Sequence, residues 1–220
     1  TAKVCLIDEG RPQTARTFEV AREYRFLKGS GIPLRIPVIE MVEVGAGGGS
    51  IAGVDSMRRI SVGPGSAGSN PGPVCYGLGG QLPTVTDADV TLGRIDPNNF
   101  AGGSMRLDSE SAADALIRSV GDLLGFSVEH AALGVSEIVD ENMANAARVH
   151  AIESGKNVDA RTLIAFGGAA PIHVSRLAEK LGVDRVVIPP GAGVGSALGF
   201  LRAPVAYEVI RSHYQQLSSL

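Results

Sequence analysis

Residues 163–182 read LIAFGGAAPIHVSRLAEKLG, and this stretch decides the fold. Its first four residues are apolar and end at a glycine, as expected of a short buried strand in a parallel sheet. Apolar residues then recur at near-helical spacing, with Pro171 suited to the first helical position and Gly182 to the position after the last. We therefore predict a strand at 162–166 that leads directly into a helix at 171–181.

Gly167 and Gly168 lie between this strand and this helix. The first backbone N–H groups of a helix have no partners, the helix dipole is positive there, and glycine lets a ligand approach the main chain. The pattern favours a phosphate or another anionic or polar group, while an ordinary strand-to-helix turn without a ligand explains it equally well. GAGVG at 191–195 predicts a second helix start, near Gly193, at the same sheet edge, where open α/β sheets collect ligands.

Length and composition narrow the class of protein. The chain has 220 residues and a mass of 22.7 kDa, with 44% hydrophobic and 20% charged residues, which suits one domain or two small ones. No apolar run reaches the length of a membrane helix, and a net charge of -3 with scattered basic residues predicts no nucleic-acid partner. We expect a cytoplasmic protein. Cys5 and Cys75 form neither a metal pair nor a disulfide framework, and we expect buried or incidental thiols.

The order of the predicted elements gives the fold class. Residues 1–40 contain three short alternating runs, KVCLID, TARTFEV and REYRFLK, which predict a β-meander. Residues 41–103 are rich in glycine, with strand-like pieces at 41–44, 51–54, 59–62 and 84–86. Helical periodicity follows at 111–124 and 129–154, and a strand at 185–188 and a helix at 193–203 complete a β-α-β-α order. We predict an α/β fold, a mixed sheet with flanking helices, in which 1–40 and 104–220 form one lobe and 41–103 an inserted glycine-rich subdomain.

Six stretches in order resemble the A-type subunit of the hydantoinase/oxoprolinase family. They are EVGAGGGSIAGVD, VGPGSAGSNPGPVCYG, PTVTDADVTLGRIDPNNFAGG, DENMANAARVHA, IAFGGAAPIHVSRLAEKLG and PPGAGVGSALGFLRAPVA. The resemblance implies one lobe of an actin-like (ribonuclease H-like) ATPase fold that binds ATP, with Mg²⁺ as a candidate metal. It also implies ATP-dependent opening of cyclic amides or imides such as 5-oxoproline or N-methylhydantoin, a B-type partner subunit and a homo-oligomer. Two alternatives stay open: a lobe of an ATP-dependent ketone carboxylase, and a non-catalytic nucleotide-binding or assembly module.

Mapped onto this chain, the resemblance assigns residues to the nucleotide. Gly167, Gly168 and Ala169 are similar to the adenosine motif of the superfamily. Residues 1–8 resemble the end of its second phosphate hairpin, normally marked by Asp-x-Gly-Gly-Thr, so Thr1 and Lys3 are predicted beside the nucleotide. Because the first half of the fold is not seen in this sequence, we expect a C-terminal fragment. Phosphoryl transfer needs the phosphates held from both sides, so we predict weak or absent catalysis by these 220 residues alone.

The glycine run GAGGGS at 45–50 is a second candidate. It departs from a dinucleotide-binding fingerprint because Ser50 takes the place of the third glycine and IAGVD, which follows, reads as a strand. The resemblance places the loop at the active cleft. Gly47 and Gly48 are therefore predicted to bind the nucleotide through an anion-binding nest, and a tight structural turn is equally plausible.

The acidic residues Glu43 and Asp87 are the predicted catalytic groups. Asp87 and Asp89, in TDAD, would share a face if the segment were extended, and such carboxylates position water or bind Mg²⁺. Caps, turns or solvated side chains explain each of them more simply.

Four further polar residues lie on the predicted helices. His173, in the first turn after the glycine pair, is a predicted nucleotide-binding residue that lines the cleft without doing chemistry. The positive helix end favours its neutral form. Asn142 and Asn145 are candidates for contact with the ribose, with buried capping or solvent as the alternative. His150 lies one turn from Glu153, but two residues do not make a metal site, and no metal ligands are identified.

Overall fold

The protein is described by a computed structural model that covers residues 1–21, 23–24, 29–207, 209 and 211–216. The strand predicted for REYRFLK, residues 22–28, therefore lies outside the described residues except for 23–24. The strands of the described chain are β1 (Ala2–Cys5), β2 (Ile7–Asp8), β3 (Arg11–Pro12), β4 (Thr14–Ala15), β5 (Phe18–Val20), β6 (Ile32–Leu34), β7 (Val38–Ile39), β8 (Met41–Val44), β9 (Ser50–Val54), β10 (Ile60–Ser66), β11 (Thr162–Ile164) and β12 (Arg185–Val187).

Helices occupy most of the second half of the chain. None of those in the described ranges combines the length and the apolar character needed to cross a membrane. They are α1 (Val85–Thr91), α2 (Ser109–Leu116), α3 (Asp122–Leu124), α4 (Val128–Glu153), α5 (Ala170–Leu181) and α6 (Gly195–Arg202), with a π-helical turn at Ile117–Gly121 and 3-10 turns at Val74–Tyr76, Ala101–Gly103 and Ala192–Val194.

The N-terminal residues form a two-stranded antiparallel ribbon. Strand β1 pairs with β8, β4 with β7, and β5 with β6, while β2 and β3 make a short hairpin at the side. The predicted β-meander is therefore wrong for the described strands, because the partner of the first strand lies about 40 residues later along the chain. Strands β2 and β3 have two residues each, so their hairpin is short.

The glycine-rich region contains a hairpin and a helix. Strand β9 confirms the strand predicted at 51–54, and it pairs with β10 in antiparallel register. The strand predicted at 84–86 is wrong: Thr84 caps helix α1, its hydroxyl accepting from the Asp87 N–H while the Asp87 carboxylate accepts from the Thr84 N–H. This reciprocal capping box fixes a helix start where the threonines favoured a strand.

The long helix α4 organises the core. Val135, Val139, Met143 and Ala147, predicted on one stripe, are all buried. Helix α4 packs against α1, α5, β8 and β10. Val44, Ala52 and Val85 from the glycine-rich region lie in the same apolar cluster as Val135 and Val139 of α4. This shared cluster joins the glycine-rich region 41–103 to the helical part of the chain. The division into a lobe of 1–40 with 104–220 and an inserted subdomain at 41–103 stays a prediction.

The final unit has the β-α-β order expected from the opening stretch. Strands β11 and β12 are parallel, with Ile164 opposite Val187, and α5 connects them. The mixed α/β character is confirmed. The strands of the described residues nevertheless form six two-stranded sheets, of which this one is parallel, rather than one continuous mixed sheet.

Candidate functional site

The double-glycine corner lies between β11 and α5, and it is open. Gly167 has a φ of +100°, a conformation that favours glycine, and a Cβ atom placed on Gly167 or Gly168 would have no neighbour within 4 Å. Helix α5 begins at Ala170 after Ala169, and no side chain caps it. Pro171 has no N–H and the Ile172 N–H donates to the Ala169 carbonyl at 3.0 Å, so the N–H groups that remain for a ligand at this corner are those of Ala169 and Ala170.

A second helix end lies beside this corner. The Gly167 N–H donates to the carbonyl of Ala192, at a distance of 2.7 Å, in the 3-10 turn that precedes α6. A Cβ atom on Gly195, the first residue of α6, would lie 3.2 Å from the Phe166 ring. The starts of α5 and α6 thus adjoin the end of β11, as the sequence predicted.

The glycine loop between β8 and β9 is a tight turn that contacts the first residue of the chain. The Gly47 N–H donates to Ser50 Oγ at 3.1 Å, and a Cβ atom on Gly47 would lie 2.9 Å from the Thr1 nitrogen. The Gly48 carbonyl accepts from the Thr86 N–H of α1 at 2.8 Å. Thr1, Gly47 and Gly48, three of the predicted nucleotide-binding residues, therefore lie together.

Lys3 and Glu43 form an ion pair. They lie opposite in the β1–β8 pair, and Lys3 Nζ is 2.8 Å from Glu43 Oε1, with both side chains about half exposed. The nucleotide-binding role of Lys3 and the catalytic role of Glu43 stay predictions. Either role would compete with this ion pair.

Asp87 has a structural environment. Its fully buried carboxylate accepts from the N–H groups of Val74 (3.2 Å), Cys75 (2.7 Å) and Thr84 (2.7 Å) and from the Thr84 hydroxyl (2.9 Å). Burial, followed by the negative charge of Asp87, raises the pKa of the buried Cys75 thiol far above its usual value. These contacts make Asp87 a cap for α1 and an anchor for the 3-10 turn, and no contact supports its predicted catalytic role.

Asp87 and Asp89 do not form the carboxylate pair expected from an extended TDAD segment. Both lie on helix α1, where residues two apart point in different directions. Asp87 faces the loop at 74–75, whereas Asp89 faces Arg94 and His173. The expectation of a shared face is wrong because the segment is helical.

His173 lies in a buried ion-pair network. Its Nε2 is 3.3 Å from Asp89 Oδ2 and its Nδ1 is 2.8 Å from Asp140 Oδ1, and all three residues are at most 1% exposed. These are ion-pair distances, but the angles at the ring nitrogens are not those of hydrogen bonds. Arg94 extends the network by contacting Asp89 at 3.4 Å and donating to the Ser136 hydroxyl.

The network reverses the predicted charge of His173. Burial of the ring lowers the pKa, but the adjoining carboxylates of Asp140 and Asp89 outweigh it and raise the pKa of His173 to about 9. The prediction of a neutral imidazole is therefore wrong, because two buried carboxylates act more strongly on the ring than the positive end of α5. The place of His173 beside the cleft stays a prediction. Asp140 is not among the site residues predicted from the sequence. A carboxylate on the buried stripe of α4 is the signal that could have identified it.

The remaining candidates on α4 are separate from this network. Asn142 is half-buried, and Asn145 is exposed and accepts from Arg148 Nη1 at 2.8 Å. His150 is buried, one turn from Glu153. Within the described ranges, no group of three or more His, Cys, Asp or Glu residues is arranged to hold a metal ion.

The lining of a cavity of about 430 Å³ includes none of the predicted site residues. Arg106 and Asp108 are its charged groups, and it does not adjoin the glycine corner. Its lining consists of Pro97, Asn98, Arg106, Leu107, Asp108 and Ser109.

The sequence is similar to subunits of known enzymes. It is 44% identical over 173 residues to the caprolactamase subunit alpha of Pseudomonas jessenii, covering 79% of this chain and 25% of that subunit. It is 34% identical over 185 residues to a 5-oxoprolinase of Pestalotiopsis fici, covering 80% of this chain and 14% of that protein. The chain thus spans only a small part of the length of these relatives.

Solved structures agree with the sequence comparison. A nucleotide-free structure of acetone carboxylase, from work on ATP-dependent acetone carboxylation, matches 90% of this chain and 27% of that chain, with a TM-score of 0.77 and 33% identity. The crystal structure of ATP-dependent caprolactamase from Pseudomonas jessenii matches 81% of this chain and 26% of that chain, with a TM-score of 0.71 and 43% identity. The family model for hydantoinase/oxoprolinase (Hydantoinase_A) matches residues 1–209. The chain belongs to the hydantoinase/oxoprolinase family.

Proposed function

We propose that this chain supplies the adenosine-binding lobe of an ATP-dependent hydrolase of cyclic amides or imides. One observation carries the proposal: the uncapped start of α5 follows Gly167 and Gly168, and no side chain fills the space beside either glycine. Glycine permits close approach of a nucleoside, and the helix dipole with the N–H groups of Ala169 and Ala170 favours its polar groups. The similarity to an ATP-dependent caprolactamase and to a 5-oxoprolinase supports the substrate class.

We further propose that the lobe is actin-like and works together with other parts of the enzyme. Adenosine would contact Gly167, Gly168 and Ala169, with Asn142 near the ribose, while the loop of Gly47 and Gly48 beside Thr1 would face the phosphates. ATP, when bound, would supply the phosphoryl group that activates an amide carbonyl, and Mg²⁺ would balance the phosphate charge. A B-type subunit is the proposed partner, in line with the naming of a relative as one subunit of an enzyme. The homo-oligomer and the cytoplasmic location stay predictions.

Replacement of Gly168 by valine tests the adenosine site. Gly168 has no neighbour within 4 Å and does not have a positive φ, so Gly168→Val leaves the fold intact while the side chain occupies the corner. We expect calorimetry on the complete gene product to show loss of ATP and AMP binding. Gly53→Val is the matched control, because Gly53 lies in β9 and also has open space around it. Retained affinity in Gly168→Val would contradict the assignment.

The similarity to acetone carboxylase favours a second candidate, ATP-dependent carboxylation of a ketone. The two functions differ in what stimulates ATP hydrolysis. We would compare ATP turnover by the complete complex with lactams and hydantoins against turnover with ketones and bicarbonate. Stimulation by cyclic amides supports the hydrolase and stimulation by ketones the carboxylase. Binding of ATP without turnover on either panel would leave the chain as a nucleotide-binding assembly module.

A further inference from the structure

Three helices meet at one buried group of charges. Asp89 comes from α1, Asp140 from α4 and His173 from the first turn of α5, and Arg94 adds a cation beside Asp89. With His173 protonated, the two carboxylates are balanced by two cations. With His173 neutral, one buried negative charge has no counterpart, which is costly in the interior of a protein.

The same helices carry both segments proposed to contact the nucleotide. Thr86, in the first turn of α1, binds the Gly48 carbonyl, and Asp89 lies one turn further along this helix. His173 lies five residues after Gly168, in the first turn of α5. The network therefore connects the glycine loop to the double-glycine corner through side chains and two short helical segments.

We propose that His173 is a positioning residue that fixes the start of α5 against α1 and α4, and so holds the corner at Gly167 and Gly168 in register with the glycine loop at Gly47 and Gly48. The inference rests on the proposed nucleotide site and adds to it a residue that does not touch the ligand. A corner that packed side chains hold in place binds its ligand more tightly than a mobile corner, because it loses less conformational entropy on binding.

The other contacts between α5 and α4 do not replace this one. Ala178 and Leu181, in the second half of α5, pack with Ala144 and Ala147 of α4. Arg176 binds Glu137 of α4 at 2.7 Å, but its side chain is 45% exposed, and exposed ion pairs contribute little. Lys180 binds Glu137 and Glu141 at 3.0 and 3.1 Å and is less exposed, but it lies two turns after His173. The charged contact of the first turn of α5 with α1 is made through His173.

The test compares three variants of the complete gene product. His173→Gln removes the charge, Asp140→Asn removes one partner with little change of shape, and Arg176→Gln is the control that breaks an exposed pair between the same two helices. We expect ATP affinity to fall at least about tenfold in the first two variants and to stay within about twofold in the control. The N–H groups of Gly167 and Ile172 donate to the carbonyls of Ala192 and Ala169, and their amide exchange should be at least about tenfold faster in the first two variants, with or without ATP.

The pH dependence of ATP affinity distinguishes a positioning residue from one that only fills space in the core. The charged groups that face His173 are Asp89 from α1 and Asp140 from α4, with Arg94 next to Asp89. ATP affinity of the unmodified protein should fall as the pH rises through about 9. In Asp140→Asn this midpoint moves to lower pH because one stabilising carboxylate charge is removed. A residue that only filled space would give no such midpoint.

Each outcome decides the inference. Folded His173→Gln with unchanged ATP affinity and unchanged exchange at Gly167 and Ile172 would overturn it. If that variant does not fold, the same criteria apply to Asp140→Asn. If the unmodified protein does not bind ATP, the proposed function fails and the exchange comparison alone decides. Faster exchange in His173→Gln than in Arg176→Gln would then still support the positioning role, and equal rates would refute it.

Discussion

Nδ1 of His173 lies 2.8 Å from Oδ1 of Asp140, and both side chains are buried. The pKa of His173 rises from 6.5 to about 9, so the folded state holds a proton that the unfolded chain releases at lower pH. The stabilisation is fully present below pH 6.5 and is lost as the pH rises through about 9. We expect the free energy of unfolding to fall over this range by on the order of 3 kcal/mol.

Denaturant titrations at pH values below, within and above this range measure that change. Other groups titrate in the same range, so His173→Gln is the necessary comparison: its unfolding free energy should vary less with pH than that of the unmodified protein. The two pH profiles should converge above pH 9. Parallel profiles would show that folding does not raise the pKa of His173.

The glycine loop gives a steric prediction. A Cβ atom on Gly48 would lie 2.6 Å from Thr86 Oγ1, which is closer than Cβ atoms of folded proteins approach their non-bonded neighbours. Gly48→Ala should therefore displace the loop or the start of α1 and lower the free energy of unfolding by about 1–3 kcal/mol. Thermal and denaturant unfolding measure the effect.

Two further variants identify its cause. Gly53→Ala adds the same methyl group in β9, where nothing lies within 4 Å, and should be close to neutral. Thr86→Ala removes the clashing hydroxyl and leaves Cβ, which lies 4.0 Å from the added atom. The double variant Gly48→Ala with Thr86→Ala should recover part of the stability lost in Gly48→Ala. Additive losses would argue against the clash.

Local patterns in the sequence were sufficient for several elements. The helix predicted at 171–181 differs by one residue from α5 (Ala170–Leu181), because proline, glycine and the apolar spacing all act within the helix itself. The parallel pair β11–β12 follows from the β-α-β order. Even the missed start of α1 had a local signal, since Thr84 and Asp87 have the spacing of a capping box.

The remaining features depend on contacts between distant segments. No local pattern specifies that Lys3 pairs with Glu43 in the ribbon, because either strand could pair with its neighbour in sequence. Likewise, the charge of His173 depends on carboxylates 33 and 84 positions earlier in the chain, counted from its number to those of Asp140 and Asp89. The sequence places the start of α5 correctly. The protonation of His173, however, depends on two carboxylates that come near the ring only when α1, α4 and α5 pack together.

The β11–β12 sheet predicts self-association of the 220-residue chain. Ile164 and Val187 lie opposite each other and are 48% and 45% exposed, and Phe166 and Ile188 beside them are 53% and 51% exposed. Exposed apolar side chains on a two-stranded sheet favour contact with other molecules. We expect sedimentation to show species larger than the monomer as the protein concentration rises.

Replacement of the opposed pair tests this cause. Ile164→Thr with Val187→Thr keeps β-branched side chains in the strands and should reduce the association. Ile152→Thr is the control, because Ile152 is 74% exposed on α4, away from this sheet. Association that persists in the double variant would move its origin to another surface, such as the exposed side chains of α6.

Asp87 distinguishes a structural carboxylate from a catalytic one. Asp87→Ala would leave the N–H groups of Val74, Cys75 and Thr84 without their buried acceptor. We expect the free energy of unfolding to fall by roughly 2–4 kcal/mol, because each buried donor loses its partner. Asp108→Ala is the matched control: Asp108 also caps a helix, α2, through the Ser111 N–H, but it is exposed and water can replace it. A catalytic role without a structural one would give the opposite result, with unfolding unchanged in Asp87→Ala and ATP turnover by the complete complex abolished.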